Sequence, residues 1–309
     1  MSNWFLIALL APLLWSVVNH IDKYMLGKCL QKRGVGALLI FSALSSVIIL
    51  PFIGYVYRSE IFTIGGNDLF TLLCVGFLSA GGLYFYLKGM ELEEASIVVP
   101  LFQIVPVFGY ILGYLILGES LSAAQILSSL LIMSGIIILT LEIDADNKLT
   151  LKMEVLSIVA ISSFLFALYD TLFKKVALVG GFWVSVFWQY VSLVIFGILI
   201  FICIKKFRHD FLSMWSGMGG RIFSLNAGSE LLYIAGSLAN NFATLLAPVA
   251  LVLVVSSYQP LFVFIGGVLL TVFLPHISRE KVSPRHLLHK LTSIVIILFG
   301  SYLLYSSSS

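Results

Sequence analysis

The chain is 309 residues long, 60% hydrophobic and only 11% charged, with a mean hydropathy of +1.07. Soluble domains carry about one quarter charged residues, so a water-exposed surface cannot be built from this composition and the class is integral membrane protein. A net charge of +3, with the basic residues scattered, excludes a nucleic-acid-binding domain.

A hydrocarbon core of about 30 Å needs about 20 apolar residues at a rise of 1.5 Å each, and that ruler divides the chain into ten helices. The first is 4–26, apolar apart from Asn19, His20, Asp22 and Lys23. Residues 1–5 carry no Lys or Arg and no small-residue cleavage site follows, so it is a retained helix rather than a signal peptide, with Pro12 as a kink. The uncharged runs that follow are 36–56, 69–87, 95–118, 120–141, 155–169, 176–204, 231–275 and 291–309. The run 231–275 would extend about 68 Å as one helix, more than twice the core. It must turn, and Asn240-Asn241 followed by Ala247-Pro248 supplies the break, giving helices 222–245 and 249–274. The connection 205–221 pairs basic residues with Phe211, Leu212, Met214 and Trp215 and reads as interfacial. Cys29, Cys74 and Cys203 form no CxxC pair and read as small packing residues.

The two sets of five helices carry matching residue types in the same order. Residues 15–28 align with 163–175, placing Asp22 opposite Asp170. Leu83-Tyr84 matches Leu232-Tyr233, Pro106 matches Pro260, and Gly135 matches Gly300. An odd number of helices per half makes such halves inverted in the membrane, with a substrate site at their interface.

Trp15, Asn19 and Lys23, the run 83–90 (LYFYLKGM), Pro106-Val107-Phe108, Leu117-Gly118-Glu119 and Gly135 together resemble the EamA branch of the drug/metabolite transporter superfamily. The resemblance implies an all-α fold of ten transmembrane helices in two inverted EamA repeats, 1–143 and 150–306. It also implies movement of a small metabolite by alternating access. The second half keeps the proline but lacks the Leu-Gly-Glu closure, reading Phe273-Leu274-Pro275-His276 instead.

A charged side chain at the bilayer centre costs about 2.5 to 3.5 kcal/mol on the insertion scale, so deep polar residues face a cavity or a partner. Glu230 lies about 13 Å along its helix from Arg221, near mid-bilayer. It reads either as a cation or proton site or as a structural carboxyl bonded to a neighbouring helix. Asp22 and Asp170 fall about 24 to 27 Å along their helices, close to an interface, as anchors, ion pairs or gates with Lys23 and Lys174 snorkelling beside them. Glu119 reads as a helix-end cap. Gln103, Gln189 and Gln259 sit in mid-helix, suited either to a polar metabolite or to helix–helix bonding. Tyr258-Gln259-Pro260 is the densest cluster, because a mid-helix proline frees a carbonyl. Asn19, Trp15, Tyr84, Trp188 and Tyr233 are candidate cavity walls, with core packing as the alternative for the aromatics. His276, His286 and His289 lack a third ligand pattern, so no metal is expected, and no motif calls for a cofactor or a catalytic triad.

The expectation is therefore a transporter, not an enzyme, in the cell membrane, whose partners are a small polar or amphipathic metabolite, the bilayer and protons as coupling ion. A flippase for a lipid carrier or headgroup is the alternative, with a membrane-embedded enzyme behind it. The odd-numbered loops hold 14 of the 18 Lys and Arg. The positive-inside rule then places those loops in the cytoplasm and both termini outside, whereas the resemblance implies cytoplasmic termini.

Overall fold

A computed structural model describes residues 4–28, 35–92, 98–99, 101–140, 153–217, 220–273 and 284–307. All regular structure among them is helical: α1 (Trp4–Lys28), α2 (Val35–Ser45), α3 (Leu50–Val56), α4 (Gly66–Leu92), α5 (Val105–Leu112), α6 (Ala123–Thr140), α7 (Met153–Gly180), α8 (Phe182–Cys203), α9 (Lys205–Gly217), α10 (Gly220–Leu246), α11 (Val249–Ser256), α12 (Gln259–Phe273) and α13 (Pro284–Ser307). Eight described helical segments are long and apolar enough to cross a membrane, and Phe102–Leu117 is a shorter apolar one. Their outward faces are apolar too. On α1, Leu6, Leu10, Leu13 and Val17 are all exposed at helical spacing, the mark of a surface that meets lipid rather than water.

Proline sets the breaks. Pro51 opens α3 after a 3-10 turn at Ser46–Ile48, so the expected helix 36–56 is bent. Pro106 sits in the first turn of α5, after a 3-10 turn at Phe102–Ile104, and a π-turn at Gly113–Leu117 follows. Pro260 sits in the first turn of α12, which is separated from α11 by Ser257 and Tyr258. A proline lacks the N–H that would continue the ladder, so both long apolar runs are split in mid-course. The split halves touch: α5 packs on α11, and at Gly109 a Cβ would lie 2.5 Å from Leu253 Cδ1, so a side chain there would push Leu253 aside.

The most extensive interfaces are α4 with α7, α1 with α10 and α6 with α13. Gly135 of α6 faces Ile297 and Gly300 of α13 faces Ile132, each too close for a Cβ. The amphipathic α9 packs across α2 and α8.

Two boundaries differ from the sequence reading. Asn240-Asn241 do not break a helix; both lie inside α10, and the chain turns only at Ala247-Pro248. Their amides are bonded to side chains of other helices, so nothing forces the backbone to open. Asp170, Lys174 and Lys175 do not end a helix either: α7 continues to Gly180.

Candidate functional site

The interior of the second half carries a polar chain with no exposed member. Tyr169 Oη donates to Asn241 Oδ1 at 2.8 Å, Asn241 Nδ2 donates to Gln189 Oε1 at 3.0 Å, and Gln189 Nε2 donates to Tyr169 Oη at 3.0 Å. The three bonds close a ring joining α7, α8 and α10. One residue along, Asn240 Nδ2 donates to Asp170 Oδ1 at 2.9 Å, and Ser256 Oγ donates to Asn240 Oδ1 at 2.8 Å. Ser256 is the last residue of α11, so this arm ends at the helix break. Pro260, four residues on, cannot donate to the Ser256 carbonyl.

Asp170 therefore lies inside the bundle and within its helix. It is 3% exposed, and α7 runs on for ten more residues to Gly180. Lys174 does not snorkel. Its ammonium is buried, 2.5 Å from Glu119 Oε1 and 2.7 Å from the Ala247 carbonyl. Glu119 is a cap, as expected, but of a different helix: its Oε2 accepts from the Val249 N–H at the start of α11, 2.9 Å away. Gly118, at φ +68°, turns the chain so that Glu119 can point back.

Glu230 lies half-buried on α10 and accepts from Ser42 Oγ of α2 at 2.6 Å. It is near enough to the Tyr190 and Tyr233 hydroxyls to act on both electrostatically, and Ser237 bonds to each of those tyrosines. Trp15 joins the same region, donating to the Tyr233 carbonyl at 3.3 Å with the rings 6.1 Å apart. Asn19 is half-buried on α1.

Other expected residues go elsewhere. Gln103 is buried in the 3-10 turn before α5, and its Oε1 has no hydrogen-bond partner. Tyr258 is buried, but its hydroxyl bonds to Ser301 of α13, inside the apolar cluster of Ile132, Leu261 and Ile297. Gln259 is half-buried at the start of α12. Tyr84 lines a separate cavity of about 160 Å³ with Lys88, Glu91, Lys206 and Asp210. Trp188 donates to the Ile61 carbonyl at 2.6 Å in a packed core. The side chains of Asp22, Lys23, His286 and His289, and His276 altogether, lie outside the described residues, among which no His, Cys, Asp and Glu group is arranged to hold a metal.

Sequence reasoning missed Tyr169, Asn240, Asn241, Ser237, Ser256 and Ser42. The Asn pair was visible as an oddity in an apolar run of about 45 residues and was assigned to a turn; the hydroxyls gave no signal, because serine is common in membrane helices.

A search of curated protein sequences finds no match. A solved crystal structure, 15% identical, aligns over 98% of this chain and 96% of its own with a TM-score of 0.73, and so shares the fold. Residues 2–141 match the profile of the EamA-like transporter family. Over that stretch the chain is similar to the EamA-like transporter family, and with its many apolar helices it is a multi-pass membrane protein.

Proposed function

We propose that the protein is a secondary transporter of the cell membrane, moving a small polar or amphipathic metabolite by alternating access. The observation that carries this reading is the pair of helices broken at Pro106 and Pro260, packed against each other beside a buried polar network. Broken helices at corresponding points of two halves are where transporters of this general kind bind substrate and coupling ion.

Ten spans in two inverted repeats, 1–143 and 150–306, are part of the proposal. To the eight spans above, the apolar Phe102–Leu117 and the 27-residue α10 add two more. The helix pairing supports the repeat. Exchanging the halves turns the α4–α7 interface into α10–α1 and leaves α6–α13 unchanged, and these are the three largest interfaces. In this reading Glu230 is the carboxylate that meets the substrate, with Trp15, Tyr233 and Ser42 around it.

A thermal-shift screen of the purified protein against a metabolite panel identifies a binder, since a ligand stabilises the folded state. The binder is then followed into proteoliposomes. Uptake by the wild-type chain, lost in Glu230→Gln with the fold intact, is the expected result. Equal uptake by both contradicts the role of Glu230, and no uptake of any stabilising metabolite contradicts transport.

A further inference from the structure

We propose that Asp170 is the proton-binding site of the transport cycle. The idea rests on the transporter reading but on a different carboxylate from Glu230. Asp170 is 3% exposed. Its one hydrogen bond among the described residues comes from the neutral amide of Asn240, and no Lys, Arg or His there is paired with it. An ionised carboxylate enclosed without a counter-charge is costly, and such a group sheds its charge by taking up a proton.

The groups packed around Asp170 leave it in that condition. On its own helix, Tyr169 is tied to Asn241, and Lys174, one turn on, is held by Glu119. The elements against α7 bring Tyr190 from α8 and Tyr233 and Glu230 from α10, none of them cationic. The apolar clusters that take in its helix neighbours Tyr169 and Ala167 bring Leu72 and Val75 from α4, and Leu112, Val249 and Leu253 from α5 and α11. The Asn240 amide oxygen accepts from Ser256, so the amide is engaged on both sides, and a proton needs only one oxygen of the carboxylate.

The same bond gives the proton a mechanical consequence. The chain Asp170–Asn240–Ser256 runs from α7 through α10 to the end of α11, where the helix breaks. When opening of the break admits water, the O–H bond of the acid is broken, its electron pair stays on the carboxylate and the proton passes to water. The carboxylate then holds the Asn240 amide more tightly than the neutral acid did, which biases the position of α11.

Infrared difference spectroscopy of the full chain in lipid, between mildly acidic and alkaline buffer, tests this without a substrate. The expected result is a carboxylic-acid carbonyl band at neutral pH that is lost in alkali, moves on aspartate-specific ¹³C labelling, is absent from Asp170→Asn and persists in Glu230→Gln. A missing band, a band unmoved by aspartate labelling, or one kept in Asp170→Asn overturns the proposal, as does a sodium-induced thermal shift that Asp170→Asn abolishes. Should that variant fail to fold, the labelled wild-type chain decides alone. Metabolite uptake without the band removes the proton site and spares the transporter; the band without uptake does the reverse.

Discussion

The two halves of the molecule bury polar groups in different ways. In the first half, hydroxyls fold back on their own helix: Ser128 onto the Ala124 carbonyl, Ser129 onto Gln125, Thr140 onto Ile136. Such bonds satisfy the hydroxyl and leave the helix face free to pack. In the second half, Tyr169, Asp170, Gln189, Asn240 and Asn241 reach across to other helices. The first half contributes to this interior chiefly through Ser42 and Glu119. The family profile covers residues 2–141, which is the half without the network. The similarity to the family is thus carried by a packing scaffold, while most of the buried polar network lies in the sequence outside it.

The contrast can be broken by substitution. Lys174→Met leaves Glu119 buried without its cation and should cost about 3 to 5 kcal/mol, read as a large fall in the unfolding midpoint of the purified protein. Adding Glu119→Leu should recover most of that loss but leave the Val249 N–H without its cap, a residual cost of about 1 to 3 kcal/mol. If the single and double variants are equally unstable, the pair is not a charge clasp. Gln189→Leu opens the ring, stranding one donor of Asn241 and one acceptor site on Tyr169, for about 1 to 3 kcal/mol.

The scaffold, by contrast, should respond symmetrically. Gly135→Ala and Gly300→Ala each force a methyl against an isoleucine of the partner helix. Overpacking of about 1 to 3 kcal/mol, less up to about 1 from better helix propensity, should appear equally in both; unequal losses would argue against the repeat. Smallest of all, Ser129→Ala removes a bond within one helix and should change stability by about 0.5 kcal/mol or less.

Much of the scaffold was legible in the sequence. Pro106 and Pro260 marked the two broken helices, and Gly135 and Gly300 were paired as equivalents that the structure brings together as reciprocal contacts. The interior was not legible to the same degree. A hydropathy ruler ends a helix at charge, so Asp170 and Lys174 were assigned to an interface. The residue that neutralises Lys174 is Glu119, 55 positions earlier by number and on another helix, and nothing local to either announces the pair. Asn240-Asn241 were assigned to a turn for the same reason, since their partners Asp170 and Gln189 are 70 and 52 positions away. Moving Lys174 out of the loops leaves the charge asymmetry between the two membrane faces larger than the sequence count made it.

Accessibility of Ser256 tests the central claim most directly, that the second-half network is a transport site rather than packing. With Cys29, Cys74 and Cys203 replaced by serine, Ser256→Cys is treated with a membrane-impermeant thiol reagent from each side of sealed vesicles. The account predicts labelling from one side, suppressed by the metabolite that stabilises the protein. A cysteine at this position that reacts from neither side, with or without that metabolite, would contradict it.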